Sequence, residues 1–219
     1  IISANTVEHN AANWRGGGLV YERGGGALTG NLIRANEARW HSSAMRIAES
    51  SPTLINNAII DNELTDGGES AMLVISSTLT FLHNTIAGNH GGDGYGLYVE
   101  SGGTVMTLTN TIVATQTTGI RVASGSTVTV DGILWFANGD NTGGGGTITI
   151  TGEHSGDPLF ESDGYHLGED SPAIDAGVAT AVTVDIDGDA RPSNGLPDLG
   201  ADEHEMPGIM IFLPLVTRH

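Results

Sequence analysis

The chain contains no cysteine and no lysine. Without cysteine there is no disulfide framework, no thiolate metal site and no thiol nucleophile. Without lysine there is no Schiff-base chemistry, no phosphate-loop lysine and no lysine general base. Basic residues are scarce altogether: eight Arg stand against 26 acidic residues, for a formal charge of −18. A surface of that sign repels nucleic-acid phosphates and anionic membranes, so nucleic-acid binding is excluded as an expectation. No apolar run approaches the roughly 18 residues of a bilayer span, so no membrane span is expected. Aromatic residues make up only 5% of the chain, leaving a surface of Ser, Thr, Asn and Gly. The sequence opens at Ile1 with neither Met nor a signal-peptide pattern, which reads as a processed or excised piece of something longer.

What the chain has in abundance is repetition. Asn5-Thr6-Val7, Asn31-Leu32-Ile33, Asn57-Ala58-Ile59, Asn84-Thr85-Ile86 and Asn110-Thr111-Ile112 follow one another at about 26 residues. A second Asn comes five positions later at Asn10, Asn36, Asn62 and Asn89, with Thr115 in the fifth copy. Between them lie short alternating segments such as Leu19-Val20-Tyr21-Glu22, Met45-Arg46-Ile47-Ala48 and Leu97-Tyr98-Val99-Glu100. Alternation of period two is a strand signal, with first and third positions inward. A repeat of this length without helical periodicity predicts one coil of a parallel β-helix. A propeller blade needs about 40 residues, and the regular Leu spacing of leucine-rich repeats is missing. Stacking then places Asn5, Asn31, Asn57, Asn84 and Asn110 in one column, each amide donating to one neighbour and accepting from the other.

Beyond Gly152 the repeat stops. From Glu153 to Glu205 there are fourteen acidic residues and one Arg, Arg191. The strings Asp157-Pro158-Leu159-Phe160, Tyr165-His166-Leu167, Ser171-Pro172-Ala173-Ile174-Asp175-Ala176-Gly177, Asp185-Ile186-Asp187-Gly188-Asp189-Ala190-Arg191-Pro192 and Asp198-Leu199-Gly200-Ala201-Asp202-Glu203 resemble the tail of bacterial right-handed parallel β-helix repeat proteins with a choice-of-anchor Q domain. The resemblance implies a right-handed, all-β solenoid and an extracellular or cell-surface location. We therefore divide the chain into about six β-helix coils over 1–152, an irregular acidic cap over 153–206, and an apolar tail over 207–219. The cap is expected to close the end of the last coil, where unpaired strand edges invite unwanted pairing. The first coil has no such cover, which leaves end-on self-association open as an expectation.

Candidate chemistry is sparse. Asp185, Asp187 and Asp189 alternate, as a set of hard oxygen ligands for calcium would, although Leu196 and Pro197 stand where an EF-type loop closes with Glu. Asp187-Gly188 is also an ordinary turn pair. The alternation puts Arg46, Tyr98 and Arg121 in one outward column with Val20 and Leu73, a candidate glycan surface. Arg46 and Arg121 are three coils apart, about 14 Å, too far for one catalytic centre. His83, His90 and Asp93 fall near one corner as a candidate cluster. Trp14, Trp40 and Trp135 lie in or beside turns, where aromatic faces can meet sugar rings. The expected function is a non-catalytic extracellular module acting as a spacer, adhesin or surface-assembly subunit that binds glycan. The alternative is a polysaccharide lyase working in a groove on the coils.

Overall fold

A computed structural model describes residues 1–100, 102–193 and 195–205; the apolar tail expected over 207–219 lies outside them. Every regular element among the described residues is a β-strand, and neighbouring strands pair in parallel. The strands wind into a solenoid with three sheets. The longest has two limbs. Ile2–Ser3, Gly25–Thr29, Ser51–Ile55 and Thr78–Leu82 build one limb; Thr6–Glu8, Leu32–Arg34, Ala58–Ile60 and Thr85–Ala87 build the other. Val105–Ala114, Thr127–Phe136 and Thr147–Ser155 run continuously through both limbs. A second sheet consists of two-residue strands from Ala11–Ala12 to His90–Gly91, and a third has six strands from Leu19–Glu22 to Asp140–Gly144.

Period-two alternation stacks like on like. On the first limb Leu28, Leu54, Phe81, Leu108 and Val130 lie over one another. Val7, Ile33, Ile59, Ile86, Val113 and Trp135 do so on the second. Met45, Met72, Leu97 and Ile120 form the facing column on the third sheet. These columns fuse into one core whose central residues are fully buried, each large side chain contributing about 1.5–3 kcal/mol.

The corners hold the amide ladders. The backbone N–H and Nδ2 of Asn5 both donate to Asn31 Oδ1, at 3.2 and 3.0 Å. Asn31 repeats this on Asn57, and Asn57 on Asn84. Asn10, Asn36, Asn62 and Asn89 form a second ladder in the same way. In both, the residue just before the Asn turns the corner in the left-handed region: Ala4, Gly30, Asn56 and His83 before the first ladder, His9, Ala35, Asp61 and Gly88 before the second.

Asn110 departs from the expected column. The register sets Thr85 against Ile112, so His83 aligns with Asn110 and Asn84 with Thr111. Asn110 therefore occupies the left-handed corner position, with φ of 54°, and Thr111 takes the ladder position. Freed from the ladder, the Asn110 amide donates to Val178 O and accepts from Val178 N–H, at 2.7 and 2.8 Å.

That contact marks a second correction. The segment after Ser155 does not plug the end of the last coil. It runs back along the flank of the solenoid. Phe160 lies near Phe136, Thr180 at His83, Val184 at Asn56 and Ile186 at Gly30. The final strand, Thr147–Ser155, keeps an exposed edge among the described residues, and it extends beyond the expected boundary at 152. The reason lies in the second limb, whose outward residues are also apolar. Ala58, Ile60, Ala87, Ile112, Ala114 and Leu134 are buried beneath Leu167, Ala173, Leu199 and Ala201 of the returning segment. Covering that face removes more apolar surface from water than covering a single strand edge would.

This lobe has almost no regular structure, and carboxylates replace the ladder as acceptors. Asp185 Oδ1 accepts the amides of Asp187, Gly188 and Asp189, and Asp185 Oδ2 accepts that of Glu203. Asp198 accepts those of Asp175 and His204. Glu203 accepts those of Ser193 and Asp198. Arg191 is buried at the centre, 3.4 Å from Glu203 Oε2 and donating to the carbonyls of Asp198, Gly200 and Ala201.

Candidate functional site

The third sheet, like the first limb, is a solenoid face that the returning segment leaves open, and its outward positions carry charge and aromatics. The ladder register places Val20, Arg46, Leu73, Tyr98 and Arg121 in one row across neighbouring strands. The three residues expected on a glycan surface therefore share a column, with Leu73 between Arg46 and Tyr98. They are not equivalent. Arg46 is 8% exposed and its Nη1 is paired with Glu22. Tyr98 and Arg121 are half-buried. Tyr98 meets Tyr95 edge-on at 5.6 Å between ring centroids, and the Arg121 guanidinium lies 5.0 Å over the Tyr95 ring.

Beside this row a cleft of about 280 Å³ is lined by Arg15, His41, Arg46, Glu69, Leu73, Ile75 and Glu100. Trp14 stands at its edge, 59% exposed, with its ring edge-on to His41 at 5.5 Å. Burial, and next the charge of Glu100, push the Glu69 carboxyl above the usual range, against the pull of His41 Nδ1 at 3.6 Å. Burial and then Glu100 likewise raise the Tyr98 hydroxyl. The cleft thus combines two carboxylates, one of them raised above its usual range, with an exposed indole at its edge, the Glu22-paired Arg46 and the exposed Arg15. It can grip hydroxyl groups from several directions. No unpaired base stands in the row: Arg46 is engaged by Glu22 and Arg121 by an aromatic face.

Glu22, Glu69, Glu100, His41 and Tyr95 were not among the residues expected here. Glu22 and Glu100 had a signal, since both end their strand segments at the fourth position. Glu69 and His41 sit in loops that carry no period. Trp40 is 42% exposed and packs over Gly67, while Trp135 is in the core.

The other expected sites are arranged differently. Asp185, Asp187 and Asp189 are not gathered into one ligand set. Both Asp185 oxygens are taken up by backbone amides, Asp187 Oδ2 bonds His166 Nε2 at 2.7 Å, and Asp189 is exposed. His83, His90 and Asp93 are not brought together either. His83 is buried against the returning segment, with Arg191 donating to Nδ1 and Nε2 at 2.9 Å from Thr180 Oγ1. Burial, reinforced by the Arg191 charge, holds it neutral down to about 3. His90 is exposed and lies 3.6 Å from Glu63.

A family model described as the right-handed β-helix region matches residues 1–134. Searches of curated proteins and of solved structures return no match.

Proposed function

Because the chain belongs to the right-handed β-helix family, we propose that it is a non-catalytic module of a secreted or surface-attached bacterial protein, holding polysaccharide along the outer face of its third sheet. One observation carries this reading. Arg46, Tyr98 and Arg121 share a register row beside an open cleft with an exposed Trp and two carboxylates. Rows at strand spacing, about 4.8 Å, offer a long glycan the same contacts repeatedly. Tyrosine and tryptophan supply stacking faces and polar tips, and Glu69 and Arg121 supply hydroxyl-binding groups. An elimination would need a free base beside a cation-lined subsite, and the pairing of Arg46 with Glu22 favours holding over cleaving.

The test is affinity electrophoresis against neutral and acidic polysaccharides. Tyr98→Ala is expected to weaken retention about tenfold while lowering the thermal midpoint by only a few degrees, through loss of the edge-on contact with Tyr95. Absence of retention across the panel overturns the reading. The appearance of unsaturated sugar products in solution replaces it with the lyase alternative.

A further inference from the structure

The returning segment brings three of its turns to one point. Asp163 and His166 come from the first turn, Asp187 from the second and Asp202 from the third. His166 Nδ1 is bonded to Asp163 Oδ2. Its Nε2 faces away from that partner, 2.7 Å from Asp187 Oδ2 and 4.0 Å from Asp202 Oδ1. One ligand atom each from His166, Asp187 and Asp202 lies within 4.8 Å of the others. The Asp202 side chain is only 9% exposed. Its Oδ2 accepts the Leu167 amide at 2.7 Å, while Oδ1 is directed at the cluster with no hydrogen-bond donor among the described residues.

We infer that His166 Nε2, Asp187 and Asp202 form a binding site for a first-row divalent cation, Zn²⁺ or one of its close neighbours. Imidazole nitrogen with two carboxylates suits such ions, whereas an all-oxygen set suits calcium. Asp163 stands where the outer partner of a metal-bound histidine belongs, holding Nδ1–H and presenting the Nε2 lone pair to the ion. A hollow of about 180 Å³, lined by Asn5, Thr6, Tyr165, Ile186 and Asp187 among others, opens beside Asp187 and gives an ion and its remaining waters a way in. Binding replaces one proton. The Nε2–H bond breaks, the proton leaves to solvent, and the nitrogen lone pair is donated to the cation, which also takes one oxygen from each of Asp187 and Asp202. The ion would fasten together three turns that have no regular structure to join them.

The experiment is calorimetric titration of the whole chain with ZnCl₂ and separately with CaCl₂, in two buffers of different ionisation enthalpy, with the melting temperature followed in parallel. The expected result is saturable Zn²⁺ binding that releases close to one proton and raises the melting temperature with ion concentration. Asp187→Asn lies at the exposed side of the site and is expected to leave the ion-free melting curve nearly unchanged while weakening binding about tenfold or more. Asp163→Asn, which can keep the Oδ1 that accepts the Tyr165 and His166 amides, is expected to weaken it about tenfold by loosening the hold on Nδ1. Absence of saturable Zn²⁺ binding overturns the proposal. So does Zn²⁺ binding that Asp187→Asn leaves untouched, and so does a response to Ca²⁺ only.

Discussion

The solenoid and the lobe on its flank meet the same requirement by opposite means. Each must satisfy backbone polar groups at tight turns away from water. The coils do it by repetition, with a neutral amide at each of two corners that serves the row below and is served by the row above. The lobe does it once per turn with charge: Asp185, Asp198 and Glu203 each collect two or more amides, and buried Arg191 balances them. The difference teaches that a periodic frame can be built from neutral groups in register. An irregular one needs stronger, longer-reaching acceptors.

The hardest test of that contrast is removal of the balancing charge. Arg191→Leu leaves Glu203 and its neighbours buried without a counter-ion and is expected to destabilise the chain by about 3–5 kcal/mol, read by urea unfolding. A loss below about 1 kcal/mol would show that the lobe's carboxylates need no cation. Next comes the ladder. Asn57→Ala removes the acceptor of two Asn31 donors and the donor to Leu28 O, Ile55 O and Asn84 Oδ1, for an expected loss of about 3 kcal/mol. Asn5→Ala, at an exposed corner, is expected to lose under about 1 kcal/mol. Equal losses at the two positions would mean that burial does not set the strength of the rungs.

A smaller effect joins the two regions. Burial holds the folded value of His83 at about 3 against its ordinary 6.5. Because the folded value is the lower one, its contribution is complete above pH 6.5 and lost as pH falls toward 3. Asp198, raised by burial to about 6, acts in the opposite direction, its contribution being lost as pH rises from 3.8 through 6. The two are separated by comparing wild type with His83→Gln in urea at pH 7 and pH 4.5. The variant is expected to lose less stability on acidification, and parallel behaviour of the two proteins would remove His83 from the acid response.

The solenoid was largely legible in the sequence because periodicity survives without tertiary knowledge. Steps of 26, 26 and 27 residues place Asn5, Asn31, Asn57 and Asn84 at equivalent corners, and alternation sets Arg46, Tyr98 and Arg121 in one row. Asn110 departs by a single residue: the coil step there is 27, so the Asn 26 positions after Asn84 falls on the corner and Thr111 on the ladder. The docking of the lobe has a signal in the sequence as well. A strand with one open face should alternate, yet Ala58-Ile59-Ile60 and Ile133-Leu134-Trp135 are continuously apolar, the pattern of a strand covered on both sides. The charged cleft was only half legible. Glu22 and Glu100 lie at repeating positions, but Glu69 and His41 arrive from loops whose paths depend on stacking that no local pattern encodes. The convergence of His166, Asp187 and Asp202 depends in the same way on three turns folding together.

The lobe also limits how this chain can change length. A solenoid whose rows touch only their neighbours can gain or shed a row as a chain of beads does. Here one continuous strap leaves the last row and reaches back to Gly30, gripping His83 and Asn56 on the way. Duplicating a repeat would pull those grips out of alignment unless the strap lengthened by the same step. The strap acts as a ruler, and the two parts must be inherited as a matched pair.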